Sequence, residues 1–296
     1  MPICRSTSPF HTPHLISMHR PNYLAVFWMF ARNSLIRDMT FRTNYIIEVI
    51  FGLCWALMNL GFYTLVYRLM YADGDGAADI AGWSQYEFFV FIATTILVNS
   101  FVEGFFMANA EELSELTRTG GLDFALLKPI DTQFLVSLQR INWSAIPKLL
   151  LALALLAYSI PRIEGLTLHP IQFVLYPLYI IMGTLILYSV MIGLAATSIW
   201  LGRNQSLYDF WFYITNFSRY PMEIYEGTFG SPLRFVFTYL IPILVVINVP
   251  AATLAKPLSD TNWPLAGFAV IATVGSLAIS RWIFQRALMS YRSASS

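Results

Sequence analysis

Charge is what this chain has least of. Asp, Glu, Lys and Arg make up 12% of its 296 residues, about half the share of a soluble domain. So few charges cannot coat a water-facing surface, which excludes an ordinary soluble fold. The formal net charge is only +1, which removes the basic excess a nucleic-acid-binding surface requires. Cysteine is limited to Cys4 and Cys54, too few for a disulfide framework or a Cys-rich metal site. Three of the four histidines, His11, His14 and His19, crowd a Pro- and Thr-rich start, and His169 stands alone. No GxxxxGK[ST] loop is present to cradle nucleotide phosphates, and no HExxH or GxSxG pattern appears. A membrane-embedded enzyme would need a nucleophile, a base and an orienting group together; the sequence offers no such set.

What is abundant is apolar and aromatic: 57% hydrophobic residues, 16% Phe, Trp or Tyr. A helix crosses a bilayer with about 20 mostly apolar residues. Runs of that kind cover 45–67, 86–107, 171–201 and 264–284, with a shorter one at 144–160 where Lys148 can snorkel. Arg20, Arg32, Arg37 and Arg42 precede the first run, whereas Asp73, Asp75, Asp79 and Glu87 follow it. The positive-inside rule therefore places the N-terminus in the cytoplasm, and Arg281, Arg286 and Arg292 place the C-terminus there too. Two inside termini require an even number of crossings, so only one of the runs 206–222 and 230–255 spans. Pro242 and Pro250 interrupt the second and favour a re-entrant element there. The reverse assignment fits the hydropathy almost as well.

The expectation is an all-α polytopic membrane protein with six transmembrane helices. Residues 1–20 form a disordered tail without the apolar core of a signal peptide. Residues 21–43 mix Phe27, Trp28 and Phe30 with Arg32, Arg37 and Asp38 and form an amphipathic interfacial helix. Residues 287–296 form a cytoplasmic tail.

Polar side chains at membrane depth are costly and tend to face a cavity or a partner helix. Glu48 and Asn59 share a face of the first span with Gly52 and Trp55, and Asn99 and Glu103 share one of the second with Thr95. These four polar residues are candidates for a transport route. The alternatives are that Glu48 and Glu103 meet headgroups, Arg42 or water, and that Asn59 and Asn99 hydrogen-bond between helices. Ser189, Gly193 and Thr197 form a small-residue face suited to close helix packing. Between the second and third spans, residues 108–140 open with a helix over 108–119, read as lying parallel to the membrane, and Gly120–Gly121 end it.

In that loop the run Arg118-x-Gly120-x-Leu122-Asp123-x-x-Leu126-x-Lys128-Pro129 resembles the pattern of type-2 ATP-binding-cassette permeases, specifically a six-span branch. Arg42, Tyr220–Pro221 and the NVPA stretch Asn248–Ala251 fit the same pattern, over roughly 23–286. Gly121 departs from it, since many relatives carry an acidic residue there. The resemblance implies an interfacial N-terminal helix, a re-entrant pair before the last span and a plasma-membrane location (the bacterial inner membrane). It further implies an exporter that pairs with a second permease protomer, identical or not, and is driven by separate cytoplasmic ATPase subunits. ATP and Mg would sit on those subunits, and this chain would need no cofactor of its own. The loop would then couple the two: Glu112, Glu115, Arg118, Asp123 and Lys128 as polar handles, Leu116 and Leu122 filling a groove of the ATPase. A stand-alone secondary transporter or channel is the other reading, although such proteins commonly carry midplane relays and inverted repeats.

Overall fold

The computed structural model describes residues 22–72, 79–201, 205–260 and 262–291. The expected tail 1–20, with its three histidines, and residues 292–296 lie outside them. Among the described residues the fold is helical, with one isolated β-bridge, Ile80 to Trp83. This is the all-α polytopic architecture expected from the apolar runs.

Helix α1 (Tyr23–Thr40) is capped by Asn22, whose side chain accepts from Ala25 N–H at 3.3 Å. It buries Phe30, Ala31 and Ser34 against the bundle and turns Leu24 and Trp28 outward, 82% and 70% exposed. Apolar side chains on the outer side of a docked helix suit a membrane interface. Helix α2 (Arg42–Ala72) spans 31 residues, about 46 Å, and little of it is buried within the chain.

Helix α3 (Gln85–Val102) starts at a capping box made by Ser84 and Glu87. It does not stop at the end of the apolar run. A π-helical turn, Glu103–Met107, joins it to α4 (Ala108–Thr119), and the three form one helix of 35 residues. The segment 108–119, read from sequence as lying parallel to the membrane, instead prolongs the second span. No breaker intervenes before Gly120, whose φ of 74° ends the helix in the left-handed region. The turn to the next element falls there, and α5 (Leu122–Leu126) and α6 (Thr132–Leu138) follow.

Helices α7 (Ala145–Ser159) and α8 (Pro170–Ala196) come next, with α9 (Ser198–Leu201) continuing α8. The stretch expected to hold the fifth span, 206–222, contains α10 (Gln205–Asn216), a 3₁₀ turn Phe217–Arg219 and Pro221. Twelve residues reach only about 18 Å, so α10 alone is too short to cross. Then come α11 (Gly230–Phe235), a second π turn (Val236–Leu240) and α12 (Ile243–Ala255). The pair on either side of Ile241–Pro242 is bent by 88°. Pro242 has φ −72° and ψ 51°, and Ile243 N–H reaches Ile241 O at 2.6 Å, an inverse γ-turn. Helix α13 (Trp263–Ser290) closes the chain and takes in residues 287–290, assigned from sequence to the tail.

Among the described residues five helices are long and apolar enough to cross a membrane, or six if the bent pair counts as one. Hydrogen bonds fix where this broken stretch begins and ends. Trp200 just before it bonds Ser290 at the end of α13. After α12, Lys256 Nζ donates to Gly82 O at 3.3 Å, and Gln172, at the start of α8, donates to Thr253 O at 2.8 Å. Residues 205–256 therefore lead from one end of the bundle to the other in pieces, none of them a full-length helix.

The core forms where α8 packs on α12 and α13, and α3 on α7. Helix α12 is buried along nearly its whole length. The tightest approach is at Gly183 of α8, where an added Cβ would stand 2.6 Å from Val246 O of α12. Pro250 explains that free carbonyl: it lacks the N–H that would bond four residues back. The small-residue face around Gly193 is looser, with nothing nearer than 3.9 Å to a Cβ there.

Candidate functional site: a polar cleft and a docked loop

A cleft of about 830 Å³ opens between α2, α3, the start of α7 and residues 216–220. All four candidate route residues, Glu48, Asn59, Asn99 and Glu103, line it. Helical spacing brings them there: Glu48, Gly52, Trp55 and Asn59 come from one face of α2, Thr95, Asn99 and Glu103 from one face of α3. The two asparagines do not bridge helices. Asn59 Nδ2 donates to Trp55 O of its own helix at 2.8 Å, and Asn99 makes no side-chain hydrogen bond among the described residues. Their polar groups are left to the cleft.

The carboxylates differ. Glu103 pairs with Lys148 of α7, whose stem lies over Gly52; a Cβ at position 52 would meet Lys148 Cδ at 3.0 Å. Glu48 is exposed and accepts from Asn142 Nδ2 at 2.7 Å. Sequence reasoning missed Lys148 and Tyr220 as cleft residues and missed Asn216 and Arg219 altogether. Asn216 ends α10, Arg219 ends the 3₁₀ turn after it, and Tyr220 follows that turn. That turn is held by a clamp: Met222 N–H donates to Asn248 Oδ1 at 2.8 Å, while Asn248 Nδ2 donates to Leu244 O. The Tyr220–Pro221 pair and the NVPA stretch thus meet in space.

Beyond the C-terminal end of α3, the loop 108–140 is bound into the fold. Asn109 exchanges two hydrogen bonds with the Arg140 backbone, at 2.6 and 2.8 Å, and Glu112 pairs with Arg140 at 2.6 Å. Ser34 and Asp38 of α1 accept from the Ile141 and Trp143 N–H groups. Asp131 caps α6 and pairs with Arg281 of α13. Burial pushes the Asp131 carboxyl up, but hydrogen bonds from Arg281 and the Phe134 N–H outweigh it and leave it below its usual range.

The expected handles divide accordingly. Glu115 and Arg118 pair with each other in full exposure, and the Arg118 guanidinium holds Glu115 below the usual carboxylate range. Lys128 is exposed; Asp123 is half-buried and approaches Tyr291. Leu116 is half-buried, and an added Cβ at Gly121 would stand 2.8 Å from it. Leu122 requires a correction. It is fully buried with Leu113, Phe30, Leu135 and Phe284, so it fills a groove of this chain and not of a partner. The most exposed apolar side chains there are Phe124 and Leu127, at 74% and 81%. The i,i+3 spacing of Leu122 and Ala125 on the buried side signals this, since it puts 124 and 127 opposite.

Residues 57–295 match the family described as ABC-2 family transporter protein. The chain belongs to this family. It is the membrane permease of an ABC transporter and a multi-pass membrane protein. No curated protein and no solved structure matches the chain. The matched region takes in the cleft from Leu57 onward, the loop and every element after it; α1 and the first half of α2 precede it. The permease thus carries its polar cleft and its docked loop on one continuous helix, α3 to α4.

Proposed function

We propose that this permease exports its substrate through the cleft, driven by separate cytoplasmic ATPase subunits that engage the loop 108–140. The observation that carries the reading is the convergence of Glu48, Asn59, Asn99 and Glu103 on one cavity. One wall of that cavity, α2, is mostly uncovered by the rest of the chain. A second permease protomer, identical or not, completes the route by covering α2. Both termini and the loop face the cytoplasm of a bacterial inner membrane. ATP and Mg bind the ATPase subunits, which dock on Phe124, Leu127, Glu115, Arg118 and Lys128.

Interfaces concentrate their energy in a few anchors, so the test uses the exposed pair. Phe124→Asp with Leu127→Asp should leave the amount of inserted permease unchanged and lower ATP-driven transport at least tenfold in reconstituted vesicles. Leu122→Asp should instead lower abundance, because it puts a charge into a closed core. Full transport by the inserted double variant rules the docking role out.

A further inference from the structure

Four charged side chains line the cleft: Glu48, Glu103, Lys148 and Arg219. Lys148 is spent on Glu103. Glu48 lies 15 residues before Tyr63 on α2, about 22 Å along the helix, and is engaged by Asn142. Arg219 sits on the turn held by Asn248, with Tyr220, Asn216 and Tyr63 around the same cavity. Among the described residues its guanidinium makes no hydrogen bond or ion pair; its neighbour is the Phe212 ring at 5.8 Å. The same cleft has apolar walls: Phe51, Trp55, Met58, Ile92 and Ile96.

The carboxylate that acts on this guanidinium, Glu103, is already paired with Lys148, so the fork itself is free and gains most from an anion with paired oxygens, since its plane matches phosphate, sulfate or carboxylate. In the same cleft, Asn99 and Asn216 make no side-chain hydrogen bond among the described residues, so their amides can donate to further oxygens. The apolar walls of the cleft suit an alkyl chain. Resting on the reading of the cleft as the transport route, we propose that Arg219 is a specificity-determining residue that binds the anionic headgroup of an amphiphile, with the chain along the apolar walls. The headgroup belongs either to a bilayer phospholipid or to a free amphiphile; both offer the same oxyanion.

Cys54 lines the cleft and is exposed, so its alkylation reports occupancy. The experiment uses the full permease with its ATPase, carrying Cys4→Ser, in phosphatidylcholine nanodiscs. Dodecyl phosphate should slow maleimide alkylation of Cys54, and Arg219→Gln should raise the concentration needed at least tenfold. Arg219→Lys, which keeps the charge but loses the fork, should fall between. Dodecyltrimethylammonium should not protect. Nanodiscs containing phosphatidylglycerol should protect without added amphiphile if bilayer lipid is the source, and should not if the ligand is a free amphiphile. Equal protection of wild type and Arg219→Gln by dodecyl phosphate overturns the proposal. If neutral dodecyl maltoside then protects both as well, the cleft still takes amphiphiles and only the anion preference falls. If no dodecyl compound protects Cys54, the cleft reading itself falls, and the inference with it.

Discussion

Gly183 shows how narrow the tolerance is where a helix with an interior proline is packed. A methyl group there would meet Val246 O at 2.6 Å, and neither backbone can yield without parting α8 from α12. Gly183→Ala should therefore cost about 1–3 kcal/mol, typical of overpacking, and appear as a lower melting temperature and reduced membrane abundance. Gly193→Ala serves as the control and should change little. Asp131 gives a prediction in pH. Its carboxyl lies below the ordinary aspartate value of 3.8, so its contribution is fully present above that value and is lost as pH falls through the depressed one. The gap in melting temperature between wild type and Asp131→Asn should stay constant from about pH 5 to 8 and close below about pH 4. A gap that closes between pH 6 and 8 would show another group at work. At this scale the sequence was partly readable. Glu48, Asn59, Asn99 and Glu103 could be gathered because helical spacing is visible in a string of letters. Arg219 could not, because the turn that carries it is followed by Met222, whose N–H donates to Asn248, and no periodicity links two residues 26 positions apart.

The elements between 205 and 256 are short because prolines and polar residues break the run, and their arrangement is secured by side chains. Asn248→Leu removes the acceptor for Met222 N–H and leaves that buried donor unpaired, a loss of about 1–3 kcal/mol. Hydrogen exchange across 217–225 should then speed up roughly 10- to 100-fold at Met222, while α8 and α13 stay protected. Unchanged exchange at Met222 would mean that the clamp does not hold the turn. The apolar runs were legible as helices because length and hydropathy decide them. The course of 108–119 was not: a drop in hydropathy marks where lipid ends, yet a helix continues through such a change until something like Gly120 stops it. The inner face of α5 rests on a single pair, Leu122 and Ala125 at i,i+3, which is legible only once the five-residue helix has been placed.

For the molecule as a whole, the proposed orientation puts the Ile80–Trp83 turn and Lys256 outside, and Lys128 and the C-terminus inside. Single cysteines at Asp79 and Lys256 should react with a membrane-impermeant maleimide added to intact cells; those at Lys128 and Ser293 should react only after lysis. Labelling of Ser293 in intact cells would reverse the topology. A mechanical consequence follows from the unbroken helix of 35 residues. Lys148 pins it at Glu103, a fulcrum part-way along a beam. From there to Gly120 the beam extends 17 residues, about 26 Å, and to Thr95 it extends 8 residues, about 12 Å. A sideways swing of the loop end would therefore appear at the cleft wall at about half its amplitude and in the opposite direction, so that drawing two loops together at one face of the membrane would spread Asn99 and Thr95 apart near its middle.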